Sequence, residues 1–232
     1  MKLFGNEHSS RTVECLEGIW TNRINKTIIV ENDKSISHRA LLISSQCIGQ
    51  SNLEGILESE DVKNTIDCLQ KLGVKILKNK KKYTVYGNGL SSFKKPKSKS
   101  LYAGNSGTLA RMLIALIATH PNLKVKVFGD QSLNRRDMKR IIKPLQEFGA
   151  TFRKNYGTLP LYIKGTNFVR PIKYTELKGS AQVKSCVMLA ALNAPGETII
   201  KARRSRDHSE ILFKYLKIPI KIKKIKNFDI IK

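Results

Sequence analysis

The chain has 232 residues, 41% of them hydrophobic, and a formal charge of +25 from 43 Lys and Arg against 18 Asp and Glu. That is enough apolar material for one large domain or two small ones with a real core. No apolar run approaches the roughly 20 residues that a bilayer-spanning helix needs. The first residues carry no signal-type apolar stretch, so a cytoplasmic location is expected. The four cysteines, at 15, 47, 68 and 186, lack metal-ligand spacing and read as buried, reduced thiols.

The positive charge implies anionic partners: nucleic acid, a membrane surface or phosphorylated small molecules. Lysine runs at 78–82, 94–99 and 221–226 fall at expected turns and strand ends, without interleaved aromatics. That pattern fits solvated faces better than a nucleic-acid groove, so the arginines inside motifs carry more information.

Residues 1–22 show no periodicity and are expected to form a separate N-terminal segment, followed by one domain over 23–232. Thr27-Ile28-Ile29-Val30 predicts a short strand. It leads through Glu31-Asn32-Asp33-Lys34-Ser35-Ile36-Ser37-His38-Arg39 into an apolar helix over 40–45. A second helix starts near Ser59-Glu60-Asp61, carries Val62, Ile66, Leu69 and Leu72 at helical spacing, and ends at Gly73. Strands are predicted over 74–77 and 83–86.

The same order recurs twice. Helices are predicted over 107–118 and 135–148, with strands over 125–128, 150–153 and 159–163. Helices over 180–191 and 207–216 follow, with strands over 197–200 and 218–222. Leu72-Gly73-Val74, Phe148-Gly149-Ala150 and Ile218-Pro219-Ile220 align as anchors. Three units, about 23–90, 91–165 and 166–232, argue for an α/β (α+β) fold with pseudo-threefold symmetry, helices inside and sheets outside. The first helices of the units then lie side by side, with their N-termini gathered at one end.

Polar groups mark each of these helix starts. The first offers Lys34, Ser35 and Arg39, and the second Gly104-Asn105-Ser106-Gly107-Thr108-Leu109-Ala110-Arg111. The third offers Ser180, Gln182 and Lys184, with Ala181 contributing backbone. Arg135-Arg136 and Arg203-Arg204-Ser205-Arg206-Asp207-His208 open second helices. Free N–H groups and the helix dipole favour an anion there, and arginine can fork onto two oxygens. Capping and surface ion pairs explain any single start equally well; recurrence in three units favours a shared anion site. His38 and His208 sit beside charged residues at helix starts, where capping or solvent-facing roles predominate. No nucleophilic triad and no phosphate-binding P-loop is legible.

Five motifs resemble the 5-enolpyruvylshikimate-3-phosphate synthase family, in the family's order. They are Asp-Lys-Ser-Ile-Ser-His-Arg-Ala-Leu-Leu (33–42), Gly-Asn-Ser-Gly-Thr (104–108) and Gly-Asp-Gln-Ser-Leu-Asn-Arg-Arg-Asp-Met (129–138). Gly-Ser-Ala-Gln-Val-Lys-Ser (179–185) and Ser-Arg-Asp-His-Ser-Glu (205–210) complete the set. The UDP-N-acetylglucosamine branch of the superfamily does not fit at these motifs. The resemblance implies transfer of the enolpyruvyl group of phosphoenolpyruvate to the 5-hydroxyl of shikimate 3-phosphate, with release of phosphate. It implies no metal or organic cofactor.

By motif, Lys34 is expected to contact both substrates. Ser35, Arg39, Ser180, Ala181, Gln182, Ser205 and Arg206 are expected to hold shikimate 3-phosphate. Gly107, Arg136 and Gln182 are expected to hold phosphoenolpyruvate, with Asn105 shaping the same pocket. Glu31-Asn32 replaces the family's usual Pro-Gly, and Asp137 replaces a proline beside Arg136. The family's enzymes have two similar domains and are nearly twice this long. The chain is therefore expected to represent the N-terminal half, inactive or weakly active alone. The acid–base carboxylates would lie in a second domain or chain. A non-catalytic basic module that kept the fold is the competing expectation.

Overall fold

In a computed structural model, the structure describes the backbone of residues 11–15 and 26–30, and all of residues 33–153 and 157–232. The Glu31-Asn32 departure and most of segment 1–22 lie outside the described residues.

The first sheet contains β1 (Arg11–Cys15), β2 (Lys26–Val30), β3 (Ile48–Glu54), β4 (Lys75–Asn79) and β5 (Lys82–Asn88) in the order β2-β1-β3-β5-β4. The second contains β6 (Ser100–Tyr102), β7 (Lys124–Phe128), β8 (Thr151–Arg153) and β9 (Leu161–Lys164), ordered β6-β7-β9-β8. The third repeats that pattern as β10-β11-β13-β12, with β10 (Lys173–Glu176), β11 (Ile199–Arg203), β12 (Ile222–Ile225) and β13 (Phe228–Ile231). In the second and third sheets the first strand runs parallel to its neighbour and the rest pair antiparallel.

The opening helices are α1 (Lys34–Ser44), α3 (Gly107–Ala118) and α6 (Ala181–Ala191). All but Arg111 of α3 is buried, so this helix is the axis of the core. Hydrophobicity all round is what a helix enclosed by other helices requires. The second helices are α2 (Glu60–Lys71), α5 (Lys139–Glu147) and α7 (His208–Tyr215), each burying one face; α2 and α5 pack between the central helices and a sheet, and α7 packs on α1. The mixed architecture with central helices and outer sheets matches the sequence expectation.

Several boundaries differ. The helix expected over 135–148 begins only at Lys139, as α5, where the Asp137 carboxylate accepts the Lys139 N–H at 2.8 Å, and a separate short helix, α4 (Gln131–Asn134), precedes it. Pro144 inside α5 leaves the Arg140 carbonyl without its helical donor, and the Tyr174 hydroxyl donates to it at 3.4 Å. The third anchor also shifts. The helix ends at Leu72, Phe148 and Leu216 share one capping pattern, so Lys217, with φ 56°, matches Gly73 and Gly149 in place of Pro219. Cys47, Cys68 and Cys186 are buried free thiols, and burial pushes the Cys68 thiol up to about 12.

Candidate active site

The three opening helices share one N-terminal chemistry. Asp33, Ser106 and Ser180 each accept the backbone N–H three residues on, from Ile36, Leu109 and Val183. None of the three has an acidic residue in its first turn, whereas α2 carries Glu60 and Asp61 and α7 carries Glu210. The positive ends of α3 and α6, capped by neutral serines, therefore remain unneutralised by their own side chains, whereas the Asp33 carboxylate caps α1.

These ends meet at a cleft of about 340 Å³, lined by Ser35, Arg39, Thr108, Gly179, Ser180, Ala181, Gln182, Ser205, Arg206 and His208. Seven of the residues expected to hold shikimate 3-phosphate (Ser35, Arg39, Ser180, Ala181, Gln182, Ser205 and Arg206) are thus brought together from α1, α6 and the approach to α7. Lys34 is the exception; its Nζ lies 2.9 Å from the Asp61 Oδ2, outside the cleft lining.

Arg39 forms the floor, 3% exposed. Its Nε donates to Ser209 Oγ at 2.7 Å, one terminal nitrogen to Ser185 Oγ at 2.9 Å, and the other to the Ser35 carbonyl at 2.7 Å. Ser209 then donates to Ser185, and Ser185 to the Ala181 carbonyl, both at 2.7 Å. Burial pulls the guanidinium down to about 10, so it remains a cation at neutral pH. Ser205 Oγ is buried and makes no hydrogen bond among the described residues. Arg206, by contrast, is exposed at the rim.

The residues expected to hold phosphoenolpyruvate form an adjoining group around the start of α3. A Cβ on Gly107 would lie 2.8 Å from the Arg111 Nη1 and 3.2 Å from the Arg136 Nη1, so the glycine lets two guanidinium groups close in on the start of α3. Arg136 donates to Asn105 Oδ1 at 2.6 Å, and Asn105 donates to Asp130 Oδ2 at 2.6 Å. The Asp137 carboxylate is engaged with the Lys139 N–H, and the Asp137 carbonyl accepts from Arg111 at 3.1 Å. Gln182 joins the two groups: its Oε1 accepts from Arg111 at 2.5 Å, and its Nε2 donates to Thr108 Oγ1 at 2.9 Å. Burial and then the neighbouring Arg136 hold the Arg111 guanidinium below its usual range.

The sequence did not single out Ser185 or Ser209 as site-shaping residues, although each lies within one of the recognised motifs. His38 departs from its expected capping or solvent-facing role. It is fully buried, with Nδ1 2.6 Å from Thr65 Oγ1 and Nε2 3.2 Å from Ser106 Oγ. Thr65 donates to the Asp61 carbonyl, so Nδ1 carries the proton and Nε2 accepts from the hydroxyl that caps α3. Burial holds the imidazole down at about 4, which fixes it neutral. Lys184 is buried beside Glu210 as an ion pair between α6 and α7, so it lies behind the cleft instead of facing it.

Donors converge here from three helix ends, two arginines and several hydroxyls, and among the described residues no carboxylate lines the cleft. Such a set suits a ligand with several anionic oxygens, held by charge-assisted hydrogen bonds. Among the described residues, no group of three or more His, Cys, Asp or Glu is placed to hold a metal ion. Among the described residues, no helix is long and apolar enough to cross a membrane.

The family model of EPSP synthase (3-phosphoshikimate 1-carboxyvinyltransferase) matches residues 20–231. A 3-phosphoshikimate 1-carboxyvinyltransferase of Ruthia magnifica subsp. Calyptogena magnifica is 42% identical over 207 residues, covering 89% of this chain and 47% of the relative. That of Endomicrobium trichonymphae is 40% identical over 204 residues, covering 87% and 47%. The solved EPSP synthase of Acinetobacter baumannii superposes with a TM-score of 0.77 at 35% identity, covering 87% of this chain and 45% of that one. The chain spans about half the length of the curated relatives it matches. On this extent of sequence and fold, the chain belongs to the EPSP synthase family.

Proposed function

We propose that this chain is the shikimate 3-phosphate-binding half of a 3-phosphoshikimate 1-carboxyvinyltransferase. The observation that carries the reading is the convergence of Ser35, Arg39, Ser180, Ala181, Gln182, Ser205 and Arg206 on one cleft at the N-termini of α1, α3 and α6. Arg206 supplies an exposed cation, Arg39 a fixed buried one, and the serines neutral donors. The free Ser205 hydroxyl is satisfied when a phosphate or ring oxygen accepts from it.

Phosphoenolpyruvate binds beside this cleft at the start of α3, where Arg111 and Arg136 close on Gly107, with Gln182 between the two ligands. Holding both reactants side by side supplies proximity and charge stabilisation. In this reading the repeated units run over about 23–90, 91–165 and 166–232. The proton-transfer groups belong to the other half of the family's architecture. Lys34, drawn aside by Asp61, turns toward the substrates when they bind.

Calorimetric titration with shikimate 3-phosphate tests the reading, with an oligonucleotide competitor and a salt series as controls. One saturable site, weakened about tenfold or more by Arg206→Ala and by Gln182→Ala, is expected. Preferential oligonucleotide binding with a steep salt slope would instead favour a basic binding module. A phosphate-release assay on the same chain is expected to show little turnover.

A further inference from the structure

A second cleft, of about 590 Å³, lies far along α6 from the anion site. Met188, Leu192, Ile200, Phe213, Ile218 and Ile231 give it an apolar lining, and Glu197 and Lys232 form an ion pair at its edge. It lies between the C-terminal ends of α6 and α7. In the first two units the corresponding place is covered by the peptide that leaves the sheet.

The first covering segment starts with the Gly89 N–H on the Cys47 carbonyl, 2.8 Å, and finishes with the Lys94 N–H on the Leu72 carbonyl, 2.7 Å. The second starts with the Gly165 N–H on the Leu123 carbonyl, 2.9 Å, and finishes with the Arg170 N–H on the Phe148 carbonyl, 3.1 Å. The final donor follows its acceptor by 22 positions in both cases (94 − 72 and 170 − 148). Immediately before that donor, each segment packs one apolar side chain against the core, Phe93 and then Val169.

The third helix end is built to the same plan. Leu216, Lys217 and Ile218 donate to Leu212, Lys214 and Phe213, as Leu72, Gly73 and Val74 do to Cys68, Gln70 and Leu69. Yet among the described residues no backbone donor reaches the Leu216 carbonyl. Counting 22 positions from Leu216 reaches position 238, six past Lys232, whose own side chain already lines the cleft.

We propose that this apolar cleft docks the peptide that follows the third unit in full-length members of the family. The peptide lies extended from the end of α6 to the end of α7. Its fifth residue buries an apolar side chain among Met188, Phe213 and Ile218, and its sixth donates its N–H to Leu216. The exposed Lys217 stands where the other two units have glycine, so the peptide passes beside that side chain. The proposal rests on the repeat and family membership, and is independent of which ligand the anion site takes.

The test appends six residues to Lys232, Gly-Leu-Ser-Ser-Phe-Lys, copied from positions 89–94. A control carries Asp in place of the Phe. The Phe version is expected to raise the thermal midpoint over the control by about 4–8 °C, the value of one buried aromatic in a chain of this size. The N–H of its sixth added residue is expected to become protected from hydrogen exchange. Equal midpoints and an unprotected sixth N–H would overturn the proposal. So would sedimentation showing that the unextended chain pairs through this face with a second copy. Shikimate 3-phosphate titration of both proteins reads the functional assignment separately, since neither extension touches the anion cleft.

Discussion

Arg39 Nε donates to Ser209 Oγ at 2.7 Å, tying the first helix to the last across 170 positions of sequence. One guanidinium therefore does two jobs: it ties α1 to α6 and α7, and it lines the cleft. Arg39→Lys keeps a charge but cannot reach Ser209, Ser185 and the Ser35 carbonyl together. The expected outcome is a stability loss of about 2–3 kcal/mol in urea unfolding, with loss of shikimate 3-phosphate binding. Arg206→Ala, on an exposed side chain, is expected to weaken binding about tenfold or more while leaving the unfolding midpoint in place.

His38 gives the fold a defined acid sensitivity. Its imidazole falls from 6.5 to about 4 because burial penalises the cation. The unfolded chain takes up this proton at higher pH than the folded chain does. The stabilisation is thus present above pH 6.5 and is lost as pH falls toward 4, amounting to about 3 kcal/mol across that window. In His38→Gln, the unfolding free energy measured from pH 7 to pH 4 should fall less steeply than in the parent. Parallel pH profiles would show that His38 does not carry the effect.

Lys184 and Glu210 form an ion pair with side chains 1% and 4% exposed. Removing one partner strands the other in a dry interior. Lys184→Met is expected to cost about 3–5 kcal/mol in denaturant unfolding. The double variant Lys184→Met with Glu210→Leu is expected to recover most of that loss. If the single variant proves harmless, the pair has access to water and the burial argument fails.

Gly107→Ala places a methyl 2.8 Å from Arg111 Nη1 and 3.2 Å from Arg136 Nη1. Both contacts are side-chain tips, so the fold accommodates the change within about 1 kcal/mol. The guanidinium of Arg111 must then loosen from Gln182. Titration should show little change for shikimate 3-phosphate, and weaker phosphoenolpyruvate binding to the preformed binary complex.

The motifs made much of the candidate site's layout legible, because a helix start is a local feature with a local signature. Ser180-Ala181-Gln182 and Gly107-Thr108 stand where their sequence contexts place them, at the starts of α6 and α3. What sequence could not show were relationships set by packing. His38 reads as a polar residue beside Arg39, and only the approach of Thr65 and Ser106 from other helices makes it a buried coupler. Lys184 occupies the same step of its helix as Arg39 and Arg111, yet Glu210 draws it inward. Strands β3 and β6 lack a continuous β-branched run; Ile48-Gly49-Gln50-Ser51-Asn52-Leu53-Glu54 is held in its sheet by pairing with β5. The third anchor was misaligned because Pro219 marks a break in the chain, while the left-handed position that ends the helix belongs to Lys217.

Titration calorimetry of shikimate 3-phosphate into this chain tests the central assignment most directly. The account predicts one site per chain, modest salt dependence, and binding weakened about tenfold or more in Arg206→Ala and Gln182→Ala proteins that remain folded. A folded parent chain that releases no binding heat at millimolar ligand, or variants that bind as the parent does, would contradict it.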